Sequence, residues 1–580
     1  MTKQRDTLHD LLVDRDDVDA QSLALLAPDA LPIRYGDLAR RIRDTGASLA
    51  SQGVVPRERI AVIMANGADM AIVALGIATY AVCAPLDPSQ SEREYRDAFA
   101  QLRIDALITS DGVGEHARSA ARACGVRVLE IPVEAMTGSP HATLAPSRRD
   151  DVALLLRTSG TTSMAKCVPL SHRQLCRSAS DIAATLRLSA ADRCLGIMPL
   201  FHVHGLVAAL LASLDAGASV VCTPGFASGR FVEWLNTFGP TWYTGVPTMH
   251  QAILAELETR ASSPLRTPLR FVRSCSAALP RDVAARLEAA LNAPVIEAYG
   301  MTEATHQITS QTPAPLGCRD DSVGAPTGVA VAIMAANREL SPRLAHGEVV
   351  IRGETVITAY DGGSPSDADA FTSGWLRTGD EGWLDENGRL HLAGRIKDLI
   401  NRGGEKISPR EIEDALLEQD GVAECVAFAV SHPTLGEDVA AAIVPARGVS
   451  LDRDALHHSL FGRLSHAKIP SRIIVIDALP KGPTGKIART RMAEQLATQL
   501  ATPFVAPAND VEAAIAVMMS ELLGAERVGA SDNFFALGGD SLRGAQLLSR
   551  VQARFAIALA PAMLFRSPTP RELAASIAQA

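Results

Sequence analysis

Up to about residue 395, short apolar runs alternate with Ala- and Leu-rich stretches of helical length. RIAVIMAN (59–66) precedes DMAIVALGIATY (69–80), DALITS (105–110) precedes GEHARSAARAC (114–124), and SVVCTP (219–224) precedes RFVEWLNTF (230–238). That alternation predicts βαβ units on a largely parallel sheet. From Gly347 the texture changes to GEVVIRG and GWLRTGDEGWLDENGRLHLAG, short strands broken by Gly-Asp and Asn-Gly turns. After Lys397 the pattern is compact α+β, with EIEDALLEQ as helix and ECVAFAV, VAAAIVPA and RIIVIDALP as strands. Two prolines and several small residues at 499–509 predict a linker. Beyond it, Val511, Ile515, Met518 and Leu522 recur at helical spacing, and the remainder reads as helices of a small bundle. The division predicted is therefore 1–395, 396–498, a linker at 499–509, and 510–580.

Composition narrows the class. A chain of 580 residues exceeds one core, and 47% hydrophobic with 21% charged residues suits a globular protein of roughly three or four folding units. The net charge of -9 supplies no basic field, which argues against nucleic acid or an anionic membrane as partner. The N-terminal stretch carries acids early and reads as no secretory signal, and Met70–Leu86 reads as a buried helix and strand rather than a membrane span. Nine scattered cysteines form no CxxC pair, so they are expected to be inert packing residues in a reducing cytoplasm.

The first chemistry lies in LRTSGTTSMAKCVPLSH (156–172), where a strand runs through a hydroxyl- and glycine-rich loop to a lysine. Hydroxyls and N–H groups at Thr158, Ser159, Gly160, Thr161, Thr162 and Ser163, with the charge of Lys166, suit a phosphate cradle. The loop lacks the Gly-Lys-Ser/Thr ending of a P-loop. A second candidate is VGASDNFFALGGDSLRGAQLLSRV (528–551). Its Gly-Gly-Asp turn presents Ser541 at a helix start, and Leu542, Leu547, Leu548 and Val551 would face inward.

Taken with MPLFHVHGL (198–206), EAYGMTEATH (297–306), LRTGDEGWLDENG (376–388), GRIKDLINRGGEKISPREIE (394–413) and LPKGPTGKIAR (479–489), the phosphate loop resembles that of the adenylate-forming superfamily. That superfamily includes acyl-CoA synthetases and peptide-synthetase adenylation domains. Between 198 and 306 the chain more specifically resembles oxalyl-CoA synthetase-like ligases, and 528–573 resembles the carrier domain of peptide synthetases. The resemblance implies an α/β fold. A large adenylation N-subdomain of stacked sheets and helices would precede a small α+β C-terminal lid and a four-helix-bundle carrier.

It also implies roles. Glu303 would hold Mg²⁺ through a hard oxygen, and Thr302 would contact the α-phosphate of ATP. Tyr299 belongs to the same nucleotide-binding motif. Asp380 would take both ribose hydroxyls, and Arg395 would help hold the nucleotide. Lys486 would offset charge on the α-phosphate and acyl oxygens. Lys397 would be the hinge of the lid, His202 a gate to the thiol tunnel, and Ser541 the 4'-phosphopantetheine attachment site. The phosphate loop departs from the family's commonest form at Ser163, Ala165 and Cys167, where glycine, proline and glycine are usual.

The fourth motif offers no acid to pair an α-ammonium, which disfavours an α-amino acid. His204, Arg273, Ser274, Ser276 and His306 would instead make a polar pocket floor for a dicarboxylate or hydroxy acid. Two alternatives stay open. Ser276 could line adenine, and Arg273 could pair with a structural acid while both histidines serve as hydrogen-bonded core. The activity expected is ATP-dependent adenylation of a small polar acid, followed by its transfer to the arm on Ser541. Alternatives are a ligase releasing free acyl-CoA and an impaired scaffold. Partners implied are a phosphopantetheinyl transferase and a condensation or ketosynthase-type enzyme acting in trans.

Overall fold

The computed structural model describes residues 5–580 apart from 29, 111, 132–146, 159–165, 260–267, 316–319, 364–368, 433–434, 462, 483–486, 488, 501–503, 540 and 580. The expected residues Ser159, Gly160, Thr161, Thr162 and Lys486 lie outside the described set. The chain divides between Leu392 and Ala393 into two compact units.

The first unit is α/β. Parallel strands Leu23–Leu26, Ser219–Cys222, Arg193–Gly196, Trp242–Gly245, Phe271–Cys275 and Val295–Met301 lie side by side in that order. Antiparallel His306–Ser310 and Ala325–Pro326 extend one edge, and Ile33–Arg34 the other. A second sheet sets Arg127–Leu129, Ala106–Thr109, Arg59–Ile63, Val82–Pro85 and Val152–Arg157 in parallel, ending in antiparallel Cys167–Ser171. The Gly347 region forms a third, antiparallel sheet through Val329–Met334, Gly347–Gly353 and Trp375–Leu384.

Local chemistry sets these elements. Ser171 and Gln174 form a reciprocal capping box that starts the helix His172–Thr185. The helix Ala68–Tyr80 is buried from Met70 to Ala78, which explains its all-round apolar sequence. Gly76 lets it approach a neighbouring helix, because a Cβ there would lie 2.4 Å from the Cβ of Thr45. No helix of the described residues is long and apolar enough to cross a membrane.

The second unit opens with an α+β body. Strands Val422–His432 and Gly436–Pro445 form a long antiparallel pair, flanked by Ile400–Arg402 and by parallel Arg472–Val475. Helices Asp510–Leu523, Ser541–Phe555, Pro561–Arg566 and Pro570–Gln579 then enclose their own core of Ile515, Met519, Phe534, Leu547, Val551 and Leu573. The face expected from the first of these helices is thus rotated: Met519 is fully buried and Met518 only partly. Seven of the eight described cysteines are buried free thiols, and Cys124 is exposed. Burial pushes the Cys83, Cys176, Cys194 and Cys222 thiols well up.

Candidate active site

Most of the expected groups gather at the carboxyl ends of the parallel strands of the large sheet, where open α/β sheets bind ligands. Thr244, Arg273 and Tyr299 arrive on three successive strands, with Thr244 in register beside Arg273. A bulge between Tyr299 and Gly300 then turns the chain, bringing His306 opposite Met301. Gly300 is required by this turn, since a Cβ would sit 1.6 Å from the His306 carbonyl oxygen.

Arg273 is fully buried. Its Nη1 donates to Thr244 Oγ1 at 3.3 Å and its Nη2 to Gln307 Oε1 at 2.9 Å, while Nε has no hydrogen-bond partner. Gln307 is itself oriented by donating to Thr327 Oγ1 at 3.0 Å. Among the described residues Arg273 makes no ion pair. Burial lowers the guanidinium's pKa, as a cation held by neutral groups requires.

His204 occupies the first position of a π-helix, His204–Leu211, a distortion that often marks functional sites. Gly205 permits it, because a Cβ would approach the Pro199 carbonyl oxygen to 2.2 Å. The His204 ring bonds Thr244 Oγ1 at 2.6 Å and Ser276 Oγ at 3.2 Å, and its centroid lies 5.0 Å from that of His306. Ser276 (φ +75°) and His306 (φ +101°) both hold left-handed backbone, a strain that clusters at functional sites. His202 accepts the His204 N–H on Nδ1 at 3.2 Å. Ser274 stands apart from this cluster. It follows Arg273 on a strand and projects to the opposite face, where its buried hydroxyl has no hydrogen-bond partner.

A second constellation joins the phosphate loop to the YGMTE segment. Thr158 N–H donates to the Lys166 carbonyl at 2.9 Å, and Lys166 N–H to Thr158 Oγ1 at 3.3 Å, so the base of the loop is closed. Lys166 Nζ sits 4.2 Å from the centre of the Tyr360 ring, and the Tyr360 hydroxyl donates to Glu303 Oε1 at 2.9 Å. The next residue, Asp361, is clamped by Arg59 through two bonds of 2.7 and 2.9 Å, with Arg103 at 2.9 Å. Burial raises the Asp361 carboxyl, but hydrogen bonds from Arg59 and Arg103 outweigh it and hold it below the usual range. Asp380 is nearly buried and accepts the Tyr299 hydroxyl at 2.5 Å.

These groups fit ATP and Mg²⁺. Glu303 offers a nearly buried hard oxygen beside a cation and a hydroxyl, and Asp380 offers a positioned carboxylate for sugar hydroxyls. Thr302 opens the one-turn helix Thr302–Ala304 that carries Glu303. In the second unit, Arg395 ends a strand and Lys397 lies in the short turn Ile396–Asp398, both exposed. Ser541 begins the helix Ser541–Phe555, after a turn in which Gly538 has φ +102°. Gly539 there lies so close to the Phe534 ring that a Cβ would meet it at 2.2 Å. Thr244, Gln307, Tyr360 and Asp361 are not among the expected site residues; Thr244 lies within the stretch 240–254 that resembles the oxalyl-CoA synthetase-like ligases, and Gln307 stands beside His306.

Comparison with known proteins accounts for the arrangement. The AMP-binding enzyme family matches residues 23–361, the AMP-binding enzyme C-terminal domain matches 411–486, and the phosphopantetheine attachment site matches 513–577. An oxalate–CoA ligase of Arabidopsis thaliana is 38% identical over 483 residues, covering 80% of this chain and 92% of the relative. A sulfoacetate–CoA ligase of Cupriavidus necator is 33% identical over 480 residues, covering 81% of this chain and 94% of the relative. The crystal structure of ATP-bound MatB from Rhodopseudomonas palustris superposes with a TM-score of 0.77 at 26% identity, covering 85% of this chain and 99% of that one. The chain therefore belongs to the AMP-binding enzyme family, as an AMP-forming acid–thiol ligase that uses ATP and carries a phosphopantetheine attachment domain in the same polypeptide.

Proposed function

We propose that this ligase adenylates a short acid bearing a second anionic or hydroxyl group and passes the acyl group to the arm on Ser541. One observation carries the reading. Arg273 is a fully buried cation held only by neutral side chains, so a substrate anion is the countercharge it lacks. His204 and His306 add polar groups beside it, and the relatives named for oxalate and sulfoacetate act on acids of that kind.

In the first half-reaction a carboxylate oxygen attacks the α-phosphorus of ATP, and the bond to the β-phosphate oxygen breaks to release pyrophosphate. Lys486 and Thr302 stabilise charge on the α-phosphate, Asp380 and Tyr299 fix the ribose, and Lys166 with the 158–163 loop receives the leaving phosphates. A Mg²⁺ on Glu303 would neutralise phosphate charge. The lid then turns about Lys397, withdrawing Lys486, and His202 clears the thiol's path. The arm supplies the thiol that takes the acyl carbon, and AMP departs with the bonding electrons. A phosphopantetheinyl transferase installs that arm, and the loaded acyl group passes to a condensation or ketosynthase-type enzyme in trans. A cytoplasmic setting supplies ATP and the transferase.

Acid-dependent ATP–pyrophosphate exchange across a panel of acids tests the substrate. A small dicarboxylate or hydroxy acid should lead; preference for a long-chain or ordinary α-amino acid refutes the reading. The two relatives, both CoA ligases matched over four-fifths of this chain, favour a second reading in which free acyl-CoA is the product. Intact-mass analysis separates the two, by an acyl increment on the Ser541 peptide or by soluble acyl-CoA.

A further inference from the structure

Within the second unit, the lid sheet and the helical carrier each have a core, and hydrogen bonds between described residues join them. His432 ends the strand Val422–His432 and is 5% exposed. Its Nδ1 accepts the Leu435 N–H at 3.0 Å, so Nε2 carries the proton and donates to the Phe535 carbonyl at 2.6 Å. On the carrier, Asn533 Oδ1 accepts the N–H groups of Phe535 and Ala536 at 2.9 and 3.2 Å. That fixes its amide, whose nitrogen donates to the Ser471 carbonyl at 3.3 Å.

Both lid groups flank the start of one strand: His432 pairs with Gly436, and the Ser471 N–H bonds Val439. The carrier's turn is equally fixed. The Phe535 ring stacks on Phe565 at 4.7 Å, and the Phe534 N–H bonds the Pro568 carbonyl at 2.8 Å. This turn leads directly into Gly538 and Ser541.

The connecting chain is shorter than 499–509. Leu500 belongs to the lid core with Val426 and Phe428. Val505 accepts the Ala530 N–H at 2.7 Å, and the Arg527 guanidinium lies 3.2 Å from the centre of the Phe504 ring, so both residues already belong to the carrier. Four Cα–Cα steps separate Leu500 from Phe504, a reach of at most about 15 Å.

We infer that the lid surface of His432 and Ser471 is a docking site for the chain's own carrier, and that this docking makes the arm on Ser541 the preferred thiol over free coenzyme A. The inference rests on the proposed loading of Ser541. A short tether raises the local concentration of the carrier, and the two hydrogen bonds select one orientation of the turn that bears Ser541. Coenzyme A in solution has neither advantage.

The experiment uses the full-length holo chain, its His432→Ala variant, and His432→Gln, whose amide can still donate to the carbonyl. Pyrophosphate exchange reports adenylation, mass of the Ser541 peptide reports loading, and soluble acyl-CoA reports the competing thiol. Hydrogen exchange of amides 530–540 reports docking. Expected for His432→Ala are unchanged exchange and acyl-CoA formation, loading slower by about five- to tenfold, and lost amide protection. Gln should restore both. Unchanged loading and protection in His432→Ala overturn the inference, as does faster loading. If the parent chain adenylates no acid, the proposed function fails, and the hydrogen-exchange arm still decides whether the carrier docks there.

Discussion

Replacing Arg273 by methionine separates its two roles. A buried cation with neutral neighbours costs stability, so an apolar side chain of similar length should leave the unfolding midpoint unchanged or raised. The same change removes a charged donor, and kcat/KM for a small dicarboxylate should fall about 10- to 100-fold. A loss of stability with no change in acid preference would assign Arg273 to the fold. Histidines in the first unit predict a separate response to acid. Burial lowers His172 and His250 from 6.5 to about 4. The unfolded chain therefore binds more protons than the folded one between those values, so stability is complete above about 6.5 and declines as pH falls toward 4. Denaturant midpoints at pH 7 and pH 5 measure this, and equal midpoints would contradict it.

Among elements, the π-helix and the bulged turn are the parts most exposed to small changes. Gly300→Ala forces a Cβ onto the His306 carbonyl and should lower stability by about 2 kcal/mol or more while abolishing exchange activity. Thermal melts and exchange assays on the same preparation check both effects. Alternating apolar runs made the βαβ order legible, and the ordered motifs single out Glu303, Asp380 and Ser541 as candidates without any geometry. The surroundings of Arg273 were not legible in this way. Thr244 and Gln307 reach it through strand register, and register between strands that are distant in sequence leaves no local pattern. Tyr360 is similar, since a lone tyrosine far from residue 303 carries no signal until the fold places it on Glu303. Helical spacing alone also does not distinguish Met518 from the fully buried Met519, because this helix packs on two sides.

At the scale of the whole chain, the two units meet in sequence at Leu392 and Ala393, a few residues before the exposed Lys397. If the lid turns there, fixing that backbone should affect only the reaction that follows the turn. Lys397→Pro is expected to keep acid-dependent pyrophosphate exchange within about twofold and to slow thioester formation at least about tenfold, because proline fixes φ near -65°. Equal loss in both half-reactions would place the moving joint elsewhere.

The seven buried cysteines bear on the same chemistry from another direction. An acyl adenylate acylates thiols readily, and a protein with exposed cysteines that makes one risks modifying itself. Here the described cysteines except Cys124 are enclosed by packing. A native titration with a thiol-colouring reagent should therefore count Cys124, at most one more from Cys318, and one further equivalent once the arm is attached. Filling of the arm can therefore be followed as the loss of one equivalent from that small count, against the constant background of Cys124.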